Sequence, residues 1–197
     1  MLIQVITGKV ADADLLQRQG DRWQAEIKPG AAGFLGVTRG VTPDGRAITV
    51  ARFESEAAAA ANSDRPEQSA WWNETAKGYD GDVVFQNCTE VDTMLGGGSN
   101  EAGFVQVMQG RAKDQAEMRK QIPELEASLR EERPDHLGMV IAWHGDGGGF
   151  TTVNYFTSEA EARKHEASTE ASPLRERFMT LMDGPLDFYD LPTPDLD

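Results

Sequence analysis

A single polar residue stands among apolar ones in the stretch VNYF, residues 153–156. Alternation along a strand places Asn154 on the same face as Thr152 and Phe156. If this amide is buried, it needs a hydrogen-bond partner. An amide that faces a cavity can hold a substrate carbonyl or stabilise an enolate oxygen, whereas a structural amide is satisfied by neighbouring backbone. Both interpretations of Asn154 stay open from the sequence.

Just upstream, WHGDGGGF (residues 143–150) combines a histidine, an aspartate and a run of glycines. A phosphate-binding loop would lead from a strand into a helix N-terminus, but this loop joins two strand-like runs. Asp-Gly is common in hairpin turns. We therefore interpret the glycines as a hairpin tip that includes His144. The other histidines, His136 and His165, have no metal-ligand spacing, so no metal site is predicted.

Composition excludes several classes of partner. The chain has 197 residues, with 19 Lys+Arg against 33 Asp+Glu and a net charge of −14. No basic cluster interrupts this acidity, which argues against nucleic acid and anionic membranes as partners. Cys88 is the only cysteine, so an internal disulfide is excluded. Without a long apolar run or a leader-like start, we expect a soluble cytoplasmic protein with no membrane partner.

The chain repeats itself when it is shifted by 102 residues, because LIQVITGKVAD then lies on FVQVMQGRAKD. Asp44-Gly45 falls on Asp146-Gly147 in the same register. With one inserted residue placed after Phe53, Ser55 falls on Ser158. A repeat on this scale indicates a duplicated structural unit. We predict a first unit over residues 1–95, a glycine-rich linker over 96–102 and a second unit over 103–197.

Each copy predicts the element order βαββαβ, with Ser55 and Ser158 as N-caps of the second helix. This order is the ferredoxin-like arrangement, an α+β fold with an antiparallel sheet and helices on one face. Two such sheets in one chain can cover each other's bare faces. We therefore expect two tandem ferredoxin-like units that form an intramolecular dimeric α+β barrel.

Further polar and aromatic residues are candidates for ligand contact. In the chosen register Arg52 takes the place of Asn154 in the first copy, where it could pair with an anionic ligand. Trp71, Trp72 and Trp143 offer large apolar surfaces. Packing in a core or interface is more typical of such residues than stacking on a ligand, and both interpretations are kept.

Several stretches resemble the antibiotic biosynthesis monooxygenase family of dimeric α+β barrels: the βαββαβ order, VNYF followed by SEAEARKHEAS, and SEAAAAANSDRPEQSAWW. Family members usually pair two chains into one barrel, so this chain resembles a fused pair, and two fused barrels could associate further as a homodimer. Some members oxidise polycyclic phenols to quinones without metal or flavin, and the substrate anion itself activates dioxygen. Others degrade haem, and many have no established activity.

The resemblance carries over to few residues. Quinone-forming members place an Asn in a VNY context on the third strand, and Asn154 matches it. They follow it with a Trp at the strand end, where this chain has Phe156 and Thr157. Haem-degrading members need an Asn on the first strand and a His on the second helix. His165 is loosely placed for the latter, but Gln106 stands on the first strand instead of Asn.

The resemblance implies a monooxygenase that needs no cofactor and acts on a small hydrophobic, aromatic or phenolic ligand in a pocket of the second unit. Asn154 is the candidate catalytic residue that holds the substrate oxygen. The candidate ligand-binding residues are Arg52, Trp71, Trp72, Gln106, Trp143, Phe156 and His165. The alternative is a non-catalytic small-molecule-binding or structural barrel protein. The missing Trp and the absence of an evident general base favour this alternative.

Overall fold

A computed structural model describes residues 1–166 and 173–197 and divides the chain into two compact units. The first unit contains Met1–Thr89 together with Asp195–Asp197, and the second contains Glu90–Pro194. Each unit holds one five-stranded sheet in which every strand pair is antiparallel. The predicted α+β class and the ferredoxin-like βαββαβ order are confirmed in both units.

The first unit has the sheet order β10-β2-β3-β1-β4. Asp12 caps its first helix by accepting from the Leu15 amide (2.8 Å), and Ser55 caps the next by accepting from the Ala58 amide (3.1 Å), which satisfies donors that a helix start leaves free. Its elements are β1 (Leu2–Lys9), α1 (Ala13–Arg22), β2 (Phe34–Val41), β3 (Arg46–Phe53), α2 (Glu56–Ser63), α3 (Pro66–Thr75), β4 (Val84–Cys88) and β10 (Asp195–Leu196).

The second unit has the matching sheet order β5-β7-β8-β6-β9. Its first helix is broken in two at Gln121, just before Pro123 in the chain, because proline fits the first turn of a helix but not its interior. Its elements are β5 (Glu90–Met94), β6 (Phe104–Arg111), α4 (Gln115–Lys120), α5 (Ile122–Glu132), β7 (His136–Trp143), β8 (Gly149–Phe156), α6 (Glu159–Glu166), α7 (Pro173–Thr180) and β9 (Asp187–Leu191).

One edge strand of each sheet lies on the other side of the predicted domain boundary in the sequence. β5 follows β4 after a single residue and pairs with β7, with Met94 opposite Met139. β10 follows β9 and pairs with β2, with Asp195 opposite Arg39. The division therefore falls after Thr89 rather than in the predicted linker 96–102, because backbone hydrogen bonds to β7 hold residues 90–94 in the second unit. The glycine run that suggested the linker, residues 96–98, follows the end of β5 at Met94.

The strand register corrects the alignment of the two copies. Gln4 lies opposite Ala51 in the first unit, and its counterpart Gln106 lies opposite Asn154 in the second. Ala51, and not Arg52, is therefore the residue that matches Asn154. A one-residue slip moves a side chain to the other face of the sheet. Arg52 accordingly lies on the opposite face and donates a hydrogen bond to the Asp197 carbonyl (2.9 Å).

The extra residue lies in the hairpin tip, upstream of the position assumed from the sequence. The Thr42 amide donates to the Arg46 carbonyl (2.8 Å) and encloses residues 43–45. The His144 amide donates to the Gly149 carbonyl (2.8 Å) and encloses residues 145–148. The second tip is thus one residue longer, so all of β8 is shifted by 103 residues from β3.

Candidate functional site

The face of the second sheet that packs against its helices carries the candidate residues. Met94 and Met139 on the sheet form one buried cluster with Met118 of α4, which identifies this face as the helix-covered one. Phe150 belongs to the same cluster and alternation places Asn154 on its side of β8. One row of paired residues crosses this face in the order Met94, Met139, Asn154, Gln106 and Asp190.

Asn154 is 4% exposed and its amide nitrogen is already engaged. Nδ2 donates to the Gln106 carbonyl and to Thr152 Oγ1, both at 3.2 Å. Because a carbonyl oxygen can only accept, the nitrogen must face Gln106 and the orientation of the amide is fixed. Within residues 1–166 and 173–197 no side chain or backbone group donates to Oδ1. The amide therefore offers an acceptor oxygen.

Gln106 belongs to a polar network that links β6, β9 and α6. Its Nε2 donates to Asp190 Oδ1 (3.0 Å) and to Glu166 Oε1 (3.3 Å). Arg163 pairs with the same two carboxylates at 2.5 and 2.9 Å, and its guanidinium lies 5.1 Å from the Phe104 ring centroid. Hydrogen bonding to Glu166 and Asp190 raises the pKa of Arg163. Gln106 thus acts here as part of a closed ionic network.

His136 lies at the start of β7 and is 8% exposed. Its ring stacks on Phe156 with centroids 4.6 Å apart and planes at 24°. Neither ring nitrogen makes a hydrogen bond of normal geometry with the described residues. Burial lowers the pKa of His136 from 6.5 to about 4, aided by the charge of Arg133 and partly offset by Asp135 and the Gly138 backbone. The imidazole is therefore neutral at physiological pH.

His165 of α6 faces a buried ion pair beside this ring. Arg133 donates two hydrogen bonds to Asp135, at 2.9 and 2.8 Å, and His165 Nε2 lies 3.6 Å from Asp135 Oδ1. Burial acts to raise the pKa of Asp135, but the hydrogen bonds and charge of Arg133 outweigh it and the pKa falls below its usual value. His165 thus contacts Asp135, the residue that precedes His136 in the chain.

Trp143 belongs to the apolar wall of the same face. It is 2% exposed, and its Nε1 donates to Asp92 Oδ2 (2.7 Å). Its ring meets Phe150 edge-on at 5.9 Å, and the Arg119 guanidinium lies 5.9 Å from its centroid. The polar edge of this indole is therefore satisfied within the protein, and its ring packs in the buried cluster of this face.

The two other tryptophan candidates lie in the first unit, on α3. Trp71 donates to the Gln19 carbonyl (2.7 Å) and packs at 6.4 Å from Trp23. Trp72 packs between Tyr79 and Phe85, at 6.1 and 5.0 Å. Both indoles thus serve in the packing of the first unit, which also contains Arg52.

The glycine segment forms a hairpin tip. Asp146 Oδ1 accepts hydrogen bonds from the Gly149 amide (2.8 Å) and the Gly148 amide (3.3 Å), and the carboxylate pairs with Arg111. These backbone bonds, together with Arg111, lower the pKa of Asp146. His144 contacts Thr151 Oγ1 through Nε2 at 2.9 Å. In the described part of the chain no group of three or more His, Cys, Asp or Glu side chains is arranged to hold a metal ion.

Two functional candidates were missed or misplaced from the sequence. His136 received no role, although alignment with the first copy places it on Phe34, a position that is apolar there. Arg52 was paired with Asn154 because the extra residue of the second tip is hidden among glycines. The comparison of His136 with Phe34 is the signal that could have identified this histidine.

Solved structures share this fold across nearly the whole chain. A proposed monooxygenase from Lactobacillus acidophilus superposes with a TM-score of 0.70 at 11% identity, over 100% of this chain and 98% of that one. An anthrone oxidase-like protein gives 0.63 at 11% identity, over 96% and 90%. A ferredoxin-fold protein from Listeria monocytogenes, related to antibiotic biosynthesis monooxygenases, gives 0.51 at 10% identity, over 97% and 94%. The resemblance to this family is confirmed at the level of the fold.

Other comparisons add no assignment. No protein-family model and no curated protein matches the sequence. Among the described residues no helix has both the length and the apolar composition needed to cross a membrane.

Proposed function

We propose that the second unit is a monooxygenase that needs no cofactor and oxidises a small phenolic aromatic molecule held on the helix-covered face of its sheet. The observation that carries the proposal is the buried Asn154, whose Oδ1 is an acceptor without a donor in the described residues, in a row where the first unit has Ala51. An acceptor oxygen that no described residue engages can take a hydrogen bond from a ligand that brings a donor. A phenolic hydroxyl is such a donor.

The surroundings of Asn154 suit a flat apolar ring. Trp143 and Phe156 lie on the same face of the sheet as Asn154. Met139 is next to Asn154 in its row, and Met94 follows Met139. Methionine side chains are flexible and make favourable contacts with aromatic rings, so they can adapt to a ligand. The proposed pocket therefore combines adaptable apolar walls with one fixed polar oxygen.

The substrate, and not a protein side chain, supplies the electrons for the reaction. In an anthrone-type substrate, loss of a proton gives an electron-rich anion that reduces dioxygen. One oxygen atom becomes the new carbonyl oxygen, and the other leaves as water with the two hydrogens of the oxidised carbon. Asn154 holds the phenolic oxygen so that the ring is correctly placed, and the buried face keeps bulk water away from the anion.

The test is oxygen uptake with dithranol, a dihydroxyanthrone, by the whole chain. Asn154→Ala gives the second unit the residue that the first unit already has, so the fold is expected to tolerate it. We expect its kcat/KM to fall by about tenfold or more, because the substrate oxygen loses its anchor. The matched control is Gln109→Ala, which removes an amide hydrogen bond to Thr151 (3.0 Å) on the opposite face of the same sheet.

Two outcomes would change the proposal. Equal rates in the wild type, Asn154→Ala and Gln109→Ala would remove the role of Asn154. Tight binding of dithranol with no oxygen uptake above the buffer rate would replace the enzyme by a non-catalytic binding protein. Nδ2 of Asn154 already donates to Gln106 and Thr152, so the amide has no free donor for a substrate enolate. This favours the non-catalytic candidate.

A further inference from the structure

Two positions on the helix-covered face distinguish the second unit from the first. His136 lies opposite Phe156 as Phe34 lies opposite Phe53, and Asn154 lies opposite Gln106 as Ala51 lies opposite Gln4. In both cases a polar residue of the second unit takes the place of an apolar residue of the first. The two polar residues belong to neighbouring strands, β7 and β8, and are two positions apart along β8. Diagonal neighbours of this kind have α-carbons about 7–8 Å apart.

The fold does not require the imidazole at position 136. In the first unit the phenyl ring of Phe34 fills the matching place and meets Phe53 edge-on at 5.5 Å. In the second unit the ring of His136 keeps the aromatic contact, with Phe156, but brings two nitrogens that the described residues leave without hydrogen bonds of normal geometry. An unsatisfied buried polar group destabilises a protein by its full desolvation. Its presence calls for a partner that residues 1–166 and 173–197 do not supply.

We propose that His136 and Asn154 form one recognition site in the second unit, in which His136 binds a second oxygen atom of the aromatic ligand whose first hydroxyl is held by Asn154. The inference rests on the proposed function and deepens it, because it specifies a ligand with two oxygens on one face of a fused ring system. A neutral imidazole has one N–H donor and one acceptor nitrogen, so it can bind either a carbonyl or a hydroxyl oxygen. Asn154 Oδ1 accepts only, and therefore selects the hydroxyl.

The groups around the imidazole support a neutral role. Arg133 lies over Phe156 at 5.3 Å and pairs with Asp135, which His165 also faces. The charge of Arg133 beside His136 is thus already paired with that of Asp135. Hydrogen bonding to an uncharged oxygen satisfies the ring without adding a buried charge.

The experiment compares two ligands that differ by one hydroxyl, α-naphthol and peri-dihydroxynaphthalene, by calorimetry on the whole chain without dioxygen. The wild type is expected to bind the diol about tenfold more tightly, the effect of one additional hydrogen bond. His136→Phe, which installs the residue of the first unit, is expected to bind both ligands equally, with the α-naphthol affinity of the wild type. Asn154→Ala is expected to weaken both. His144→Phe, the same change at the hairpin tip, is the control and should keep the preference.

The failures of the two proposals are distinguishable. If His136→Phe retains the preference for the diol, or if the wild type has none, the recognition role of His136 is overturned. The proposed function stands in that case as long as Asn154→Ala slows oxygen uptake. If neither naphthalene binds to the wild type, His136 and Asn154 do not form a site for such ligands. Folding of each variant is checked by its near-ultraviolet circular dichroism.

Discussion

The imidazole of His136 stacks on the ring of Phe156 with centroids 4.6 Å apart, yet its two nitrogens form no hydrogen bonds of normal geometry with the described residues. The same position in the first unit is a phenylalanine, Phe34, whose ring meets that of its own partner, Phe53, edge-on. Both units have an aromatic ring at this position, which is what the fold needs. The second unit differs in that its ring is polar. The consequences for stability and for ligand binding can be measured separately.

Stability should fall in mild acid because of His136. Its pKa is lowered from 6.5 to about 4 in the folded chain, so the unfolded chain binds more protons between these values. The contribution is fully present above pH 6.5 and is lost as the pH falls toward 4, by roughly 3 kcal/mol in total. Urea unfolding at pH 7 and at pH 4.5 measures it. His136→Phe should lose this part of the pH dependence, and an unchanged slope in the variant would contradict the burial of a neutral imidazole.

Substitution of Gly138 by alanine tests the position of the residues that follow β5. A β-carbon at Gly138 would lie 1.9 Å from the Gly97 carbonyl oxygen, which is backbone and cannot turn aside. Gly138→Ala should therefore lower the free energy of unfolding by about 2 kcal/mol or more. Gly145→Ala is the control, since a β-carbon there meets nothing within 4 Å. Equal midpoints of urea unfolding for both variants would show that the chain after β5 does not approach β7 as described.

Asp195 tests the matching strand of the first unit. Its carboxylate pairs with Arg39 on β2, and both side chains are partly buried. Removal of the carboxylate in Asp195→Ala leaves Arg39 without this partner and should destabilise the protein by about 1–2 kcal/mol. Asp80→Ala breaks an exposed pair with Lys9 and should leave the unfolding midpoint unchanged. A similar, negligible effect of both substitutions would argue against the pairing of β10 with β2.

The hairpin tip is expected to be unimportant for binding. Asp146→Ala removes the acceptor of the Gly148 and Gly149 amides and the ion pair to Arg111. Because this turn is exposed, the expected loss of stability is about 1 kcal/mol, and the affinity for naphthols should not change. Calorimetric titration with α-naphthol measures the latter. A large loss of affinity would restore the glycine segment as a ligand-binding loop.

Regular elements could be predicted because their signals are local. Alternating residues in VNYF and its counterpart, the Ser55 cap and the Asp-Gly turns all act over a few residues, and the repeat checks each of them against a second copy. The ferredoxin-like order follows from these signals. The second tip differs by one residue inside a run of glycines, where no side chain marks the insertion, and this displaced Arg52 onto the position of Asn154.

The unit to which β5 and β10 belong, and the place of His136 beside Asn154, depend on partners that are distant in the sequence. β5 and β10 are short, and only their hydrogen bonds to β7 and β2 show to which unit they belong. The sequence identified Asn154 because a polar residue interrupts an apolar strand. It did not identify His136, since a histidine at the start of a strand has no pattern of its own until the register places it on Phe34.

His136 and Asn154 together are held to make the second unit the functional one. Oxygen uptake with dithranol by the double variant His136→Phe, Asn154→Ala tests this most directly. This variant gives the second unit the residues of the first at both positions, Phe34 and Ala51, and should remain folded. Its rate is expected to fall to that of the buffer. Oxidation of dithranol by the double variant at the wild-type rate would show that His136 and Asn154 do not carry the activity.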